Sequence, residues 1–432
     1  MSSQSRLPRW AGRTYLLQTS AVFITGLGNS GALIASAFAV LEAGGGSTGV
    51  GLVAAARTLP LVVFLLVGGV IADRFPRHHV MVAANAANAL SQGAFAVFVL
   101  TGGSDVWVMM VLAGIGGSAH ALYLPAAQGL LFSTLDAEDA GPALAAYRVA
   151  VSSSHIGGAA LGGVLTTALG PGAVLALDAG GFVLAALLRV FMRIPAMGPG
   201  EDESMLRQLH DGWRAFVARR WLWGIVLQFA LLNGMMVAGE TVFGPVVSED
   251  HWGAAWPWGV AMSALGAGTL LGGLVLVRYR PRRLLNAGNW GLLPLAPTFV
   301  ALAIPAPWPI LALSMFVCGV GMEVFSVCWM LTLRQEIPAE YVARVSAYDW
   351  LGSMALAPAC TALAGPAGNT FGNAGVLWVF AGACVVLILG VFAIPEVRAL
   401  SGTGSVHPVE PAHPVEPVEP AEPAKAETTG AT

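Results

Sequence analysis

The chain has 432 residues, 56% of them hydrophobic and 10% charged, with a formal net charge of −3. A soluble domain carries about a quarter charged residues, so the composition excludes an ordinary soluble fold and points to an integral membrane protein. The small net charge hides a segregation of acid from base along the chain, and most of the late acidic residues lie beyond position 400.

Residues 1–12 are polar and carry Arg6 and Arg9, and no cleavable leader pattern precedes the first apolar run. Span one is expected from about Arg13 to Leu41, and Gly44-Gly45-Gly46-Ser47 makes the turn after it. About 20 apolar residues cross a bilayer, which gives further spans at about 48–72, 79–101, 106–133, 139–168 and 172–192. Between spans two and three lies Gly68-Gly69-Val70-Ile71-Ala72-Asp73-Arg74-Phe75-Pro76-Arg77-His78, a turn whose charge density belongs at a membrane face.

Pro195 to Arg220 is the longest polar interruption and is read as the connection between two bundles, 13–194 and 221–395. Its second part spaces Leu206, Leu209, Trp213, Phe216 and Val217 as an amphipathic helix on the membrane surface. Six more spans are expected at about 221–247, 256–277, 283–304, 308–332, 341–365 and 373–394. The Pro- and Glu-rich segment 396–432 is low in complexity and is expected to lack a fold. Cys318, Cys328, Cys360 and Cys384 fall inside apolar runs with no pairing or ligand spacing and read as small packing residues.

Apart from Arg57 and Arg148 within spans, the basic residues lie in the N-terminus, the even-to-odd loops, the helix ends and the tail. The opposite loops hold Glu42, Asp105, Glu249 and Asp250 with no Arg or Lys. By the positive-inside rule both termini and the Asp73 loop are cytoplasmic, in what reads as a bacterial inner membrane.

The two halves echo each other. Gly69-Val-Ile-Ala-Asp-Arg-Phe-Pro-Arg-His answers Gly273-Leu-Val-Leu-Val-Arg-Tyr-Arg-Pro-Arg-Arg, and Gly114-Ile-Gly116 answers Gly319-Val-Gly321. Leu135-Asp-Ala-Glu-Asp likewise answers Ile337-Pro-Ala-Glu-Tyr. Two related six-helix halves form a transporter architecture with its site at mid-depth between them. The turn at 69–78 resembles the G-x-L-A-D-R-x-G-R-K loop of the major facilitator superfamily, a resemblance that extends over about residues 10–395. Ala55-Ala-Arg-Thr-Leu-Pro60 and Ala343-Arg-Val-Ser-Ala-Tyr-Asp-Trp-Leu-Gly-Ser353 are similar to the bacterial enterobactin and macrolide exporter branch.

The sequence departs from that pattern at Pro76 and His78 in the loop, and Val277 stands where the first copy has Asp73. Met110 takes the place of the arginine that proton-coupled drug exporters carry ahead of the span-four glycines. The resemblance implies an all-α fold of 12 transmembrane helices in two pseudo-symmetric six-helix bundles, with spans one, four, seven and ten lining a central cavity. Those spans hold Gln18, Thr25 and Asn29; His120 and Tyr123; Gln228, Asn233 and Glu240; and Glu323 and Ser326. Spacings of 3, 4, 7 and 11 put each set on one helical face.

Glu240, Glu323 and His120 are the candidate proton carriers, because ionisable groups inside a bilayer ordinarily face a cavity, with a place near the external mouth open for Glu240 and a neutral hydrogen-bonded state an equal alternative for His120. For Asn29, Asn233 and Gln228, hydrogen bonding between helices is an equal alternative to substrate contact. Arg57 is an intramembrane charge that pairs locally or anchors water, and Asp178 lies near the outer end of span six. In the family the loop aspartate meets the N-terminal end of span eleven, where exposed N–H groups favour an anion. Asp73, Arg74 and Arg77 would then form a cytoplasmic gate with Arg344, and Asp349 could pair with Arg148 across the bundles.

No G-x-x-x-x-G-K-[ST] loop is present, so direct ATP drive has no support, and no cofactor or metal site is expected. The reading is a secondary active exporter of a small amphipathic molecule, driven by a proton gradient, not an enzyme. A metabolite importer or uniporter, and an inert membrane scaffold or sensor, stay open as alternatives. The expected partners are the substrate, protons and the lipid bilayer, with no nucleic acid, and the chain is read as a monomer.

Overall fold

A computed structural model describes residues 8, 10–74, 76–133, 140–192, 213, 214, 216–279 and 281–399. Within those ranges the side chains of 65–74, 77, 125, 128–133, 140, 339, 340, 343, 398 and 399 lie outside the description. The expected Pro- and Glu-rich tail beyond 399, and most of the expected linker helix, lie outside the described residues.

The described chain is helical from end to end. The first six helices are α1 (Arg13–Glu42), α2 (Gly46–Arg74), α3 (Arg77–Leu100), α4 (Val106–Ser133), α5 (Ala140–Leu169) and α6 (Pro171–Val190). In the second half come α7 (Arg220–Trp252), α8 (Trp256–Arg278), α9 in two pieces (Leu284–Gly291 and Leu295–Ala303) and α10 (Trp308–Glu336). Then come α11, again in two pieces (Ala339–Ala355 and Ala357–Phe371), and α12 (Asn373–Gly390).

Among the described residues, ten helices are each long and apolar enough to cross a membrane. The spans expected to be continuous at 283–304 and 341–365 are instead broken. Proline supplies a reason at both breaks: Pro294 sits between the α9 pieces and Pro358 starts the second α11 piece. Neither ring carries an N–H for a helical bond, and each crowds the carbonyl four residues back.

All the positive-φ residues among those described are glycines: Gly44, Gly46, Gly102, Gly170, Gly253 and Gly372. Each lies in a turn from an odd to an even span, at the end opposite the arginine-rich loops. There the chain reverses within a few residues through a left-handed conformation that only glycine adopts without cost.

Packing divides these helices into two six-helix bundles. In the first, α2 lies along α4, α3 along α6, and α1 along α5 and α6; in the second, α8 lies along α10 and α7 along α11. Small residues let the backbones touch. A Cβ on Gly268 would collide with the Phe316 carbonyl oxygen of α10, and one on Gly319 with that of Leu265. Large apolar side chains such as Leu90, Val111, Leu274, Val277 and Val386 point outward and are exposed. That outer coat suits hydrocarbon rather than water.

The bundles meet along two seams, α2 with the second α11 piece and α5 with α8. Gly51 faces Thr361, where a Cβ would lie 2.6 Å from the carbonyl oxygen, and Ser47 donates to Asn369 at 2.9 Å. Gly163 and Gly259 pack so closely that a Cβ on either would lie 2.9 Å from the other's Cα. Beyond them, the backbone N–H groups of Ala255 and Trp256 both donate to Thr167 Oγ1 at 3.1 Å. These contacts run from mid-depth to the glycine-turn end, while the first α11 piece at the arginine-rich end barely touches α2.

Of the expected linker helix, Phe216 is buried and Trp213 half exposed. Their rings lie 6.2 and 5.5 Å from Tyr348 of α11. This end of the linker therefore packs on the second bundle.

Candidate functional site

A cavity of about 590 Å³ opens in the second bundle between α7, α8, α10 and α11. Its wall is aromatic and sulfur-rich. Phe229 and Phe325 stack at 4.8 Å and 15°, and Trp329 continues the stack 6.3 Å from Phe325 at 7°. Met236, Met322, Met330 and Met354 fill the gaps between the rings. Thioethers are polarisable and adapt their shape, so such a wall accepts apolar guests of differing outline.

Polar groups are few and carry one sign of charge. Glu323 and Asp349 both line the cavity, and its lining contains no Lys, Arg or His. Asp349 is held by the Trp329 indole, which donates to Oδ2 at 2.9 Å. Asn233 donates to the Ser353 carbonyl at 3.1 Å and so ties α7 to α11, while Ser326 stands exposed one turn from Glu323. Glu323 keeps its place because α8 presents Gly272 there: a Cβ at that position would lie 2.9 Å from the Glu323 Cβ.

The other expected cavity residues go elsewhere. Thr25 turns its hydroxyl back onto the Ala21 carbonyl, and Asn29 accepts from the Arg57 guanidinium within the first bundle. The Tyr123 hydroxyl accepts from Arg189 at 2.8 Å, and His120 lies with its ring 6.0 Å from that of Tyr123. The first-bundle residues do not line the cavity; Thr25, Asn29 and Tyr123 bond instead to partners within their own bundle. Gln228 bonds to Asn289 at 2.7 Å, which in turn donates to the Ile388 carbonyl, so it joins α7 to α9 and α12.

Glu240 also departs from the wall expected for it. The helix α7 widens into a π turn at Gly239–Phe243, an irregularity frequent at functional positions. Its Glu240 is turned into a separate pocket of about 20 Å³ among Trp258, Phe299, Met315 and Cys318.

At the arginine-rich end, the side chains of Asp73, Arg74 and Arg77 lie outside the described residues. Arg344 is half-buried on α11. Among the described residues no ion pair joins Arg148 to Asp349; Arg148 is exposed on α5, within electrostatic reach of Glu323. Sequence reasoning passed over Arg189, which is fully buried under Tyr123 with its guanidinium carbon 5.0 Å from the ring centre. Its spacing of three turns from Asp178 on α6 was the available signal, since the two share a face.

The sequence matches the description of the Major Facilitator Superfamily over residues 19–350. The multidrug efflux pump Tap of Mycolicibacterium fortuitum is 29% identical over 412 residues, covering 89% of this chain and 96% of that protein. Macrolide efflux protein A of Streptococcus pyogenes is 23% identical over 344 residues, 78% of this chain and 82% of its own length. Among solved structures, the nucleoside transporter NupG superposes with a TM-score of 0.69 at 16% identity over 89% of this chain and 99% of that one. A D-xylose–proton symporter does so with a TM-score of 0.66 at 13% identity, covering 89% and 98%. At such identities these likenesses speak to the fold. The matched family region, the twelve spans in two bundles and the cavity therefore lead to one conclusion: this chain is a multi-pass membrane protein of the Major Facilitator Superfamily, a transporter of small molecules and not an enzyme.

Proposed function

We propose that the protein is a secondary active exporter of small amphipathic cationic or neutral organic molecules, working by alternating access against a proton gradient. The observation that carries this reading is the cavity of about 590 Å³, walled by stacked aromatic rings and methionines with Glu323 and Asp349 as its charges. Its volume falls within the range of about 300–1,000 Å³ typical of small-molecule sites. Carboxylates beside aromatic faces favour a delocalised cation. Similarity to proteins named as multidrug and macrolide efflux pumps supports export.

With the arginine-rich end taken as cytoplasmic in a bacterial plasma membrane, both termini are cytoplasmic and the bundles are closed outside and parted inside. Substrate would then enter from the cytoplasm or inner leaflet against Asn233, Glu323 and Ser326. Thr25, Asn29, His120 and Tyr123 would belong to the facing bundle, with Glu240, Glu323 and His120 as proton carriers. Asp73, Arg74 and Arg77, with Arg344, Arg148 and Asp349, would form the gate that closes the cytoplasmic side once the bundles rock. Replacement of Asp73 by Asn should then cut transport several-fold without affecting membrane insertion, and unchanged transport by the purified variant would remove the latch.

The reading is tested with the purified monomer in proteoliposomes, using ethidium as an aromatic cation. An acidic lumen should drive ethidium uptake, and a protonophore should abolish it. Flux indifferent to the gradient would make the protein a uniporter. No flux of ethidium or of neutral compounds would leave a scaffold on a transporter fold.

A further inference from the structure

Asp178 on α6 is 1% exposed, deep in the first bundle. Its Oδ2 accepts from Gln92 Nε2 at 2.8 Å, while Oδ1 has no hydrogen-bond partner. The helix α1 makes room for that free oxygen: a Cβ at Gly28 would lie 2.5 Å from Oδ1. Arg57 acts on the carboxylate electrostatically from α2, and Asn29 of α1 holds the guanidinium. A buried carboxylate with one oxygen left unpaired is expensive to keep in a membrane interior.

Arg57 and Gln92 also line a small cavity of about 40 Å³, together with the hydroxyl residues Ser36 and Thr58. That space is large enough for one or two waters, and its polar lining could bind them. Thr241 supplies the second bundle's part of the wall. It belongs to the π turn of α7, which directs Glu240 into the second bundle and Thr241 toward the first. Parting the bundles on the outer side would carry Thr241 away.

We propose that Asp178 is a proton-binding site of the first bundle, served by the water-sized chamber beside Arg57 and Gln92. The inference rests on the proton-coupled reading above. Asp178 does not itself line the chamber, from which Arg57 and Gln92 separate it; when the outer seams open, hydronium passing those two side chains gives its proton to Oδ1, forming the O–H bond and leaving neutral water. Arg57 stays protonated on Asn29 but no longer faces an anion, and once the seams close the restored attraction of Arg57 favours loss of the proton to water on the cytoplasmic side, so that one proton moves inward per cycle. The charged group that acts on Asp178 is Arg57 on α2; beyond it, His120 on α4 lies within electrostatic reach of Arg57 and of His155 on α5, whose Nδ1 lies 2.8 Å from Ser30 Oγ of α1. The helices α1 and α3 present the neutral Gly28, Asn29 and Gln92.

Infrared difference spectra of the purified protein between acid and alkaline pH read the site without any substrate. Replacing Asp178 by Asn should remove one protonated-carboxyl band, and Asp178→Glu should restore a shifted one. Gln92→Leu, which keeps the carboxylate but removes its donor, should move that band. In proteoliposomes Asp178→Asn should lower gradient-driven ethidium uptake about tenfold, within the range of a linked binding site, while gradient-free counterflow stays within about twofold. Band loss in a chain that transports no ethidium would uphold the site and sink only the efflux reading. Carboxyl bands unchanged in both Asp178→Asn and Gln92→Leu would overturn the proposal.

Discussion

In the first bundle, Asn29 holds Arg57, Gln92 holds Asp178, and Gln18 and Tyr123 hold Arg189, so the deep polar groups pair with one another inside the protein, leaving only single atoms such as Asp178 Oδ1 and Arg189 Nη1 without a partner. In the second bundle Glu323, Asp349 and Ser326 stand along a cavity and leave capacity for something else. Polar groups of similar type and depth thus serve two ends. An inward network orders its helices and stores charge, whereas the same chemistry on an open aromatic wall recognises a guest. Where a residue falls is decided by its neighbours: α1 and α3 give Asp178 a bonded niche through Gly28 and Gln92, while Gly272 and Gly273 on α8 leave room for Glu323 at the cavity wall.

The largest expected effect comes from breaking the junction that holds the two halves in this arrangement. Gly163 packs backbone to backbone on Gly259, so Gly163→Leu must push α8 away from α5. Ethidium transport by this variant should fall to background, although the protein still inserts and purifies as one species. Full transport would show that the close Gly163–Gly259 packing is not needed for the cycle.

Next in size is the removal of one cavity charge. Glu323→Gln should raise the KM for ethidium about tenfold, equivalent to roughly 1.4 kcal/mol of lost attraction, with little change for neutral chloramphenicol. Glu240→Gln should leave both KM values alone, because Glu240 lies in its own pocket behind the π turn. If Glu240→Gln weakened ethidium as much as Glu323→Gln, the division between cavity wall and interior would fail.

That pair of glutamates also marks how far the sequence could be read. Two bundles of six spans were legible because apolar runs of bilayer length and the Arg-free odd-to-even loops need only one-dimensional information. Glu323 and Ser326 were legible too, since a three-residue spacing fixes a shared face. Glu240 was assigned to that cavity on the assumption of regular helical phase, whereas it lines a small pocket of its own at the π turn Gly239–Phe243. The expectation that α1 and α4 present Asn29 and Tyr123 to the same cavity missed their partners. Arg57 and Arg189 come from other helices, and pairings across 28 and 66 residues leave no mark in local spacing. The breaks in α9 and α11 had a local signal in Pro294 and Pro358, but neighbouring apolar residues masked it.

A smaller effect, on stability instead of recognition, tests the first bundle. Tyr123→Phe keeps the ring over Arg189 but deletes the hydroxyl that accepts from its guanidinium. Another nitrogen of that group, Nη1, already lacks a partner, so a second would be stranded. The cost should be about 1–3 kcal/mol, seen as a lower thermal midpoint in detergent, with ethidium affinity unchanged. A shift in affinity without a change in midpoint would instead put Tyr123 on the substrate path.

Trp329→Phe makes the matching change on the cavity side and should be the mildest. A phenyl ring can keep the parallel stack on Phe325, so most of the apolar wall survives. What disappears is the indole N–H that holds Asp349 Oδ2 at 2.9 Å. Asp349 is partly buried but lines the cavity, so cavity water can replace the lost donor and the folding cost should be small. The carboxylate would, however, no longer be fixed in direction, and ethidium should bind about two- to threefold more weakly, below the cost of deleting the Glu323 charge. A binding titration by ethidium fluorescence reads this difference directly. A loss equal to that of Glu323→Gln would mean that the orientation of Asp349, not the sum of the two charges, sets the cavity's preference for cations.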